Sequence, residues 1–243
     1  MVWSFSGAKS FDRCQRQWYF KKKMAHHSAK EPLRREAYLL SKMDSLWSWR
    51  GKLVDQVIVH DLLPLLVARR EPSLTYLQER ARLRFDRQRE FALRHRIREP
   101  GCKPSSAGEE FAAFSAVERG TPPTEEELES AWSEVALALE HLLSMGDLLN
   151  GLRRADVLLG QRQINFKVEN FDRESVTVQA NPDLIALFRQ APPLIVDWKV
   201  HTFGSTDYRR QLSVYALACL FQTNRARFFG VSRGRISAKP SQG

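Results

Sequence analysis

The spacing of hydrophobic and polar positions changes near residue 150 of this 243-residue chain. Before that point, apolar residues recur every three or four positions, which is the spacing of amphipathic helices. After it, apolar and polar residues alternate or form short apolar runs, which are typical of strands. The pattern predicts a mainly helical first part that is followed by a small α/β core.

Helices are predicted over residues 4–23, 34–70, 73–98 and 124–149. Pro, Gly and Ser clusters between residues 99 and 123 predict loops around a short helix at 111–117. The helix at 34–70 carries an apolar series that we assign to its core-facing side. The members of this series are Leu46, Trp47, Leu53, Val54, Val57, Ile58 and Leu62.

The second part contains several segments with strand patterns. They are residues 162–171, 175–180, 183–188, 193–199 and, after a predicted helix at 207–222, residues 226–232. The order predicts an antiparallel meander that is followed by a crossover connection.

The composition is that of an ordinary folded protein, with 43% hydrophobic and 27% charged residues. No apolar run approaches the roughly 20 residues that span a bilayer. The N-terminal segment also lacks the apolar stretch of a secretory signal peptide. We therefore predict a cytoplasmic protein without a membrane partner.

The net charge of +10 is unevenly distributed along the chain. Residues 1–100 contain 22 Lys and Arg against 11 Asp and Glu, whereas the rest contains 16 against 17. A basic first part suits a polyanion such as DNA. A solubilising surface is the alternative, and charge alone does not decide between them.

The three cysteines, Cys14, Cys102 and Cys219, lie far apart in the sequence and form no CxxC pair. Neither a zinc site nor a disulfide framework is indicated. We interpret them as free thiols of a reducing compartment.

Two acidic residues mark the ends of neighbouring apolar runs. Asp183 follows Pro182 and opens the run LIALF, and Asp197 closes the run LIV. Because side chains alternate along a strand, Lys199 lies on the same side as Asp197, and Trp198 faces the opposite side. The alternative for Asp197 and Lys199 is an exposed ion pair of little energetic value.

Two carboxylates with a lysine beside them suit metal-dependent hydrolysis of a phosphodiester. Carboxylates hold Mg²⁺ or Mn²⁺, and a backbone carbonyl, here that of Trp198, can complete the oxygen ligands. A lysine at such a site can orient the attacking water or take its proton. Gln211 and Tyr215, one helical turn apart, follow these residues on one helix face.

The ordered set Pro182-Asp183, Asp197-x-Lys199 and Gln211-x-x-x-Tyr215 resembles the PD-(D/E)XK nuclease superfamily. It is most similar to the RecB-like branch, which includes nuclease domains of bacterial helicase–nucleases and the exonuclease of CRISPR adaptation. The segment SFSGAKSFDRCQRQWYF is similar to the N-terminal helix of that branch. The resemblance covers about residues 4–23, 47–60 and 160–231.

The resemblance implies an α/β fold with a restriction-endonuclease-like core, in which helices flank a mixed central sheet. We assign residues 1–60 to N-terminal helices of the nuclease core, 61–155 to a helical insertion and 156–243 to the catalytic core. This division is a prediction from the resemblance and from the change of pattern.

The resemblance also implies roles for individual residues. Asp183 and Asp197 become metal ligands and Lys199 the catalytic lysine, while Gln211 and Tyr215 steady the lysine and the DNA strand. Glu169 matches an acid of the preceding strand.

Two positions depart from the RecB-like pattern. Asp55, four residues after Gly51, stands where the branch usually has a metal-binding His. An acid can still bind a hard cation, so the resemblance implies Asp55 as a further metal ligand. Considered alone, an acid on this helix either reaches a site or faces water. Cys14 matches the first cysteine of an iron–sulfur cluster found in the branch, but no cysteine follows Cys219, so we expect no cluster.

We therefore predict a Mg²⁺- or Mn²⁺-dependent DNA nuclease of DNA repair, recombination or anti-phage defence. One alternative is a catalytically inactive nuclease fold that binds DNA. Another is a scaffold subunit that works with a helicase or another repair or defence protein through helices 73–98 and 124–149. No GxGxxG, P-loop or nucleophile-elbow pattern favours a small-molecule enzyme.

Overall fold

The computed structural model of the chain describes residues 2–99, 102–169, 174–200 and 207–221. It is a mixed α/β fold in which helices precede most of the strands. The α-helices are α1 (Phe5–Arg13), α2 (Gln15–Tyr19), α3 (Pro32–Leu40), α4 (Leu46–Val57), α5 (Leu63–Val67), α6 (Leu74–Arg94), α7 (Pro104–Ala107), α8 (Ser115–Glu118), α9 (Glu125–Ser144), α10 (Gly146–Arg153) and α11 (Asp207–Phe221). The strands are β1 (Val2–Trp3), β2 (Val157–Gly160), β3 (Ile164–Glu169), β4 (Ser175–Ala180), β5 (Leu184–Leu187) and β6 (Leu194–Val196).

The predicted helices are present, but three of them are divided by local caps and π-helical turns. Cys14 has an extended backbone and ends α1, and its Sγ then accepts a hydrogen bond from the Gln17 N–H at the start of α2. Ser45 and Ser48 form a capping box that starts α4 as a separate helix. π-Helical turns at Phe20–Met24 and Ile58–Leu62 continue α2 and α4.

The helix predicted to start after Thr124 begins there. The Thr124 hydroxyl accepts from the Glu127 N–H at 3.2 Å, and the Glu127 carboxylate accepts from the Thr124 N–H at 2.8 Å. This capping box satisfies two backbone donors of the first turn. The predicted segment then breaks at Met145, and α10 follows.

The described strands form two three-stranded sheets, with the orders β1–β4–β3 and β2–β5–β6, rather than the single mixed sheet that was predicted. β1 runs parallel to β4, and the other pairs are antiparallel. The strand β2 was not predicted from the sequence, because its four half-buried residues show no alternation of polar and apolar side chains. The strand predicted at 226–232 lies outside the described residues.

The largest core is formed mainly by α4, α6 and α9. The Trp49 ring packs against Phe85 at a tilt and against Phe114 edge-on, with ring centroids 4.7 and 4.9 Å apart. The Trp49 Nε1–H also donates a 2.7 Å hydrogen bond to the buried Gln88 side chain. These contacts hold α4, which carries Asp55, in a fixed position against the rest of the helical layer.

Trp47 was assigned to the core-facing side of its helix, and this assignment is wrong. Its side chain is 60% exposed, whereas Trp49 is 1% exposed. Trp47 lies seven residues before Val54 and therefore on the same stripe of α4, but it is the second residue of the helix, where the stripe reaches the edge of the core. Its exposure follows from this position at the helix end.

Six of the eight arginines between Arg80 and Arg98 form ion pairs with acidic residues of the chain itself. The most buried case is Arg84, which binds Asp61 at 2.5 Å, while Arg80 binds the other carboxylate oxygen at 2.9 Å. Arg80, Arg82, Arg84 and Arg89 join α6 to neighbouring elements, so a structural role accounts for much of this arginine-rich segment.

Within the described ranges, no helix has both the length and the apolar character needed to cross a bilayer. The division of the chain at residues 60 and 155 stays a prediction.

Candidate active site

Asp183 and Asp197 lie side by side at one end of the β5–β6 pair. The antiparallel register pairs Leu184 with Val196, so the two acids occupy the next facing positions. The Trp198 N–H donates a 2.8 Å hydrogen bond to Asp183 Oδ2, which ties the two chain segments together beyond the last strand pair. The predicted adjacency of the two acids is present in the structure.

Burial of the strands fixes the position of both acids. Pro182 and the first three residues of β5 are buried, and the Asp197 side chain is only 7% exposed. A one-residue slip of β5 against β6 would move apolar side chains to the opposite face. The buried register therefore determines which carboxylates meet.

Lys199 points back towards Asp197, as predicted, although the strand predicted over residues 193–199 ends at Val196 and these residues follow it. Its Nζ forms an ion pair with Asp197 Oδ2 and donates a 3.0 Å hydrogen bond to the Trp198 carbonyl. The Trp198 side chain turns the other way and packs against the helical core. The Lys199 ammonium thus contacts Asp197 Oδ2 and the Trp198 carbonyl oxygen, which are the two groups of this segment predicted to bind a metal ion.

Gln211 and Tyr215 approach from α11. Gln211 Nε2 donates to Asp197 Oδ1 at 3.1 Å and to the Tyr215 hydroxyl at 2.6 Å. Tyr215 is 6% exposed and packs in a second core with Val178 and Ile185. The pair therefore contacts Asp197 directly and reaches Lys199 through that carboxylate.

Asp55 joins the group from α4. Burial, followed by the charge of Asp183, raises the pKa of Asp55 from 3.8 to about 7; Asp197 adds to this rise and Lys199 opposes it. Asp55 is half-buried, and its electrostatic partners are the acids and the lysine of the candidate site. Of the two alternatives for this residue, a position near the site agrees better with this burial than one that faces water.

The site carries more negative than positive charge. The pKa of Asp183 is also raised, mainly by burial, although the Trp198 N–H and Lys199 both stabilise its ionised form. Two adjacent carboxyl groups, with a third coupled to them electrostatically, share one lysine ammonium, so an additional cation would be favourable there. Carboxylate and carbonyl oxygens are the ligands that Mg²⁺ and Mn²⁺ prefer.

The donor set fits a metal with few protein ligands. Within the part of the chain that the structure describes, no three His, Cys, Asp or Glu side chains converge tightly enough to hold a metal ion by themselves. Two carboxylates and the Trp198 carbonyl suit Mg²⁺, which keeps several waters when it binds to proteins.

Glu169 does not join the group. It is exposed and pairs with Ser175, at the opposite end of the β3–β4 pair from Ile164 and Ala180. Within the described residues, it makes none of the contacts that connect the other candidate residues. The resemblance placed this acid in the preceding strand, but the length of β3 carries it away from the site.

A cavity of about 490 Å³ opens beside Lys199, between α4, α9, α10 and the end of β6. Trp47 and Arg50 line it on one side, and Asp197 and Lys199 line it on the other. Arg50 was not among the residues predicted for the site. Its position three residues after Trp47 on a predicted helix is the sequence feature that connects it with another residue of the cavity.

The comparisons with known proteins give a family. A family model described as the PD-(D/E)XK nuclease superfamily matches residues 2–239. Neither the search of curated proteins nor that of solved structures found a significant match. The matched range contains every residue of the site described above.

Proposed function

Because the chain belongs to the PD-(D/E)XK nuclease superfamily, we propose that it is a divalent-metal-dependent nuclease that hydrolyses DNA phosphodiester bonds. The observation that carries the proposal is the convergence of Asp183, Asp197 and Lys199 at the end of β5 and β6. Superfamily membership supports nuclease chemistry, and the side-chain geometry supports an assembled site.

Mg²⁺ or Mn²⁺ is the proposed metal, held by Asp183, Asp197 and the Trp198 carbonyl, with Asp55 close by. Such an ion would polarise the phosphate of the DNA and lower the pKa of a bound water. The Lys199 ammonium supports this assignment, because it already contacts Asp197 Oδ2 and the Trp198 carbonyl. These oxygen atoms accept a positive group in the metal-free arrangement.

Lys199, Gln211 and Tyr215 are proposed to position the reacting groups and, in the case of Lys199, to transfer a proton. Lys199 lies where its ammonium can orient the attacking water or move a proton to or from it. Gln211 holds one oxygen of Asp197 and leaves the other for a cation. Tyr215 holds the Gln211 amide from a buried position, so the orientation of Asp197 depends on α11.

DNA is the proposed partner. The arginines of α6 are largely neutralised within the chain, so exposed cations near the N-terminus are the better candidates for phosphate contact. Arg13, Arg16 and the run Lys21–Lys23 are all exposed on or just after α1 and α2. Basic side chains of this kind give strong, salt-dependent and sequence-independent DNA binding.

We also propose membership of the RecB-like branch, a role in repair, recombination or anti-phage defence, and cooperation with a helicase or related subunit. The N-terminal segment and the ordered motifs support the branch.

An inactive, DNA-binding nuclease fold is the second candidate. Asp55 in the place of the usual His favours it. This candidate predicts salt-sensitive DNA binding without cleavage in any divalent metal.

The test is cleavage of labelled linear duplex, circular duplex and single-stranded DNA with Mg²⁺ or Mn²⁺, and with EDTA as the blank. Asp197→Asn preserves the shape of the side chain and should abolish metal-dependent cleavage. Asp147→Asn, an exposed acid on α10, is the matched control and should cut like the wild type. Equal cutting by Asp197→Asn and the control would overturn the proposal, and binding without cutting by the wild type would favour the second candidate.

A further inference from the structure

The cavity beside Lys199 has mainly apolar walls and four charged side chains, those of Arg50, Glu134, Asp197 and Lys199. Val54, Ile58 and Leu142 are buried residues that line it. Its volume of about 490 Å³ lies within the roughly 300–1,000 Å³ of pockets that hold small organic ligands. The cavity therefore suits a compact group with apolar faces.

Trp47 presents an aromatic ring at this cavity. The Arg50 guanidinium lies 3.8 Å from the centre of that ring, while the Trp47 side chain is 60% exposed. Since one face of the indole is covered by Arg50, the exposure leaves the ring available for a second planar group. A stacked cation beneath the ring also restricts its rotation.

Arg50 is itself held in place. Its side chain is 5% exposed and forms an ion pair with Glu134 on α9. Glu134 and Arg50 neutralise each other, so the cavity suits a neutral ligand rather than a second phosphate group. Glu134 thus holds Arg50 in place, and Arg50 in turn holds the Trp47 ring at the cavity wall.

Two donors of Arg50 have no acceptor. Nε and Nη2 are buried and make no hydrogen bond within the described residues. Buried donors without acceptors are uncommon and costly in folded proteins. They give the wall of the cavity a side chain with hydrogen-bonding capacity that is not met within the described residues.

We propose that this cavity is a subsite for one unpaired DNA base, stacked on Trp47, next to the phosphodiester at Asp197 and Lys199. The inference rests on the proposed function for the position of the strand, since both sites share the wall formed by Asp197 and Lys199. A base on the same strand reaches the cavity when its phosphate lies at the acidic pair. The subsite selects unpaired strands, because a paired base cannot leave its stack without cost.

The experiment measures binding of short single-stranded oligodeoxynucleotides in EDTA, so that no strand is cut. Each oligonucleotide carries one abasic residue, at successive positions along the strand. The wild type should bind about tenfold more weakly when the abasic residue occupies one particular position, as expected for loss of one base–aromatic stack. Trp47→Ala should bind intact DNA about tenfold more weakly and should lose no further affinity at that position.

Trp47→Phe and Tyr76→Ala are the control variants. The first keeps an aromatic ring and should retain most of the affinity. The second removes an exposed aromatic ring of α6 that does not line the cavity, and it should bind like the wild type. A 2-aminopurine placed at the sensitive position should be quenched by the wild type and not by Trp47→Ala.

The proposal is overturned if the wild type fails to bind, if its abasic scan is flat, or if Trp47→Ala weakens intact and abasic strands equally. These outcomes are separate from failure of the proposed function. If the protein cleaves DNA but its abasic scan is flat, only the proposal of a base subsite is wrong. If the scan depends on position but no cleavage occurs, the subsite is supported and the proposed nuclease activity is wrong.

Discussion

Asp183 and Asp197 face each other just beyond the Leu184–Val196 pair, and the Trp198 N–H joins them through a 2.8 Å hydrogen bond to Asp183. Fourteen residues separate the two acids in sequence, and a tight antiparallel pair brings them together. The site therefore depends on the β5–β6 register as much as on the identity of its residues.

Lys199→Met should lower metal-dependent cleavage by about 100-fold or more, the range for loss of a group that transfers or positions a proton. Divalent metal binding should not fall, because the variant removes a cation that contacts Asp197 and the Trp198 carbonyl. Single-turnover cleavage and a metal titration measure the two effects. Lys167→Met, an exposed lysine of β3, is the control. Cleavage within a few fold of the wild type would contradict a catalytic lysine.

Stability of the metal-free protein should fall as the pH rises from about 4 to about 7. Burial and neighbouring carboxylates raise the pKa of Asp55 from 3.8 to about 7, so in this window the folded chain holds a proton that the unfolded chain has lost. The free energy of unfolding then decreases with pH, and the loss is complete above the folded-state pKa.

Asp55→Asn should flatten this decrease, and urea unfolding across the pH range measures it. Some slope should persist, because the pKa of Asp183 is raised as well. Asp147→Asn should keep the wild-type slope. An unchanged slope in Asp55→Asn would show that this carboxyl group is not the source.

Mg²⁺ or Mn²⁺ should raise the midpoint of thermal unfolding. An ion at 100 times its dissociation constant stabilises the folded state by about 2.7 kcal/mol. The effect should be larger at pH 8 than at pH 6, because protons compete with the metal for the carboxylates. Asp183→Asn and Asp197→Asn should both lose the shift; a full shift in either variant would place the metal elsewhere.

Gln211→Leu should reduce cleavage more than Tyr215→Phe does. The first variant removes the 3.1 Å hydrogen bond to Asp197, whereas the second removes only the hydroxyl that accepts from Gln211. Tyr215→Phe should cost about 1 kcal/mol of stability, as for a typical hydrogen bond. Cleavage rates and urea unfolding of both variants test this order, and the reverse order in cleavage would show that Gln211 does not position Asp197.

Asp61→Ala should destabilise the fold by about 3–5 kcal/mol, because it leaves the buried Arg84 without its main partner. The Asp61 and Arg84 side chains are 3% and 7% exposed. Glu129→Ala breaks an exposed pair with Arg82 and should cost about 1 kcal/mol or less. Urea unfolding compares the two, and equal losses would refute the distinction between buried and exposed pairs.

Sequence patterns located much of the candidate site, because its parts follow local geometry. Strand alternation places Lys199 on the side of Asp197, and helix spacing places Gln211 one turn from Tyr215. The structure brings these four residues and Asp183 together, with Asp55 at the same group. The roles of these residues in metal binding and catalysis stay predictions.

Other features required contacts between distant parts of the chain. The arginines of α6 were predicted as a candidate phosphate-binding face, yet most of them pair with acids from other elements, such as Arg82 with Glu129 and Arg89 with Glu125. The apolar pattern placed Trp47 in the core, and packing placed Trp49 there instead. The division into two sheets likewise depends on which strands form hydrogen bonds.

The sequence by itself determined the change from helices to strands, the charge asymmetry, and the faces on which the acidic, basic and amide side chains of the site lie. These properties depend on the repeat of the backbone over a few residues, so they can be read locally. Only the tertiary structure decided that Asp55 on α4 is electrostatically coupled to the acidic pair, that most α6 arginines pair with acids of the chain, and that Trp47 and Arg50 share a cavity with Lys199. Such relationships depend on the packing of elements far apart in the chain, which the local spacing of residues does not specify.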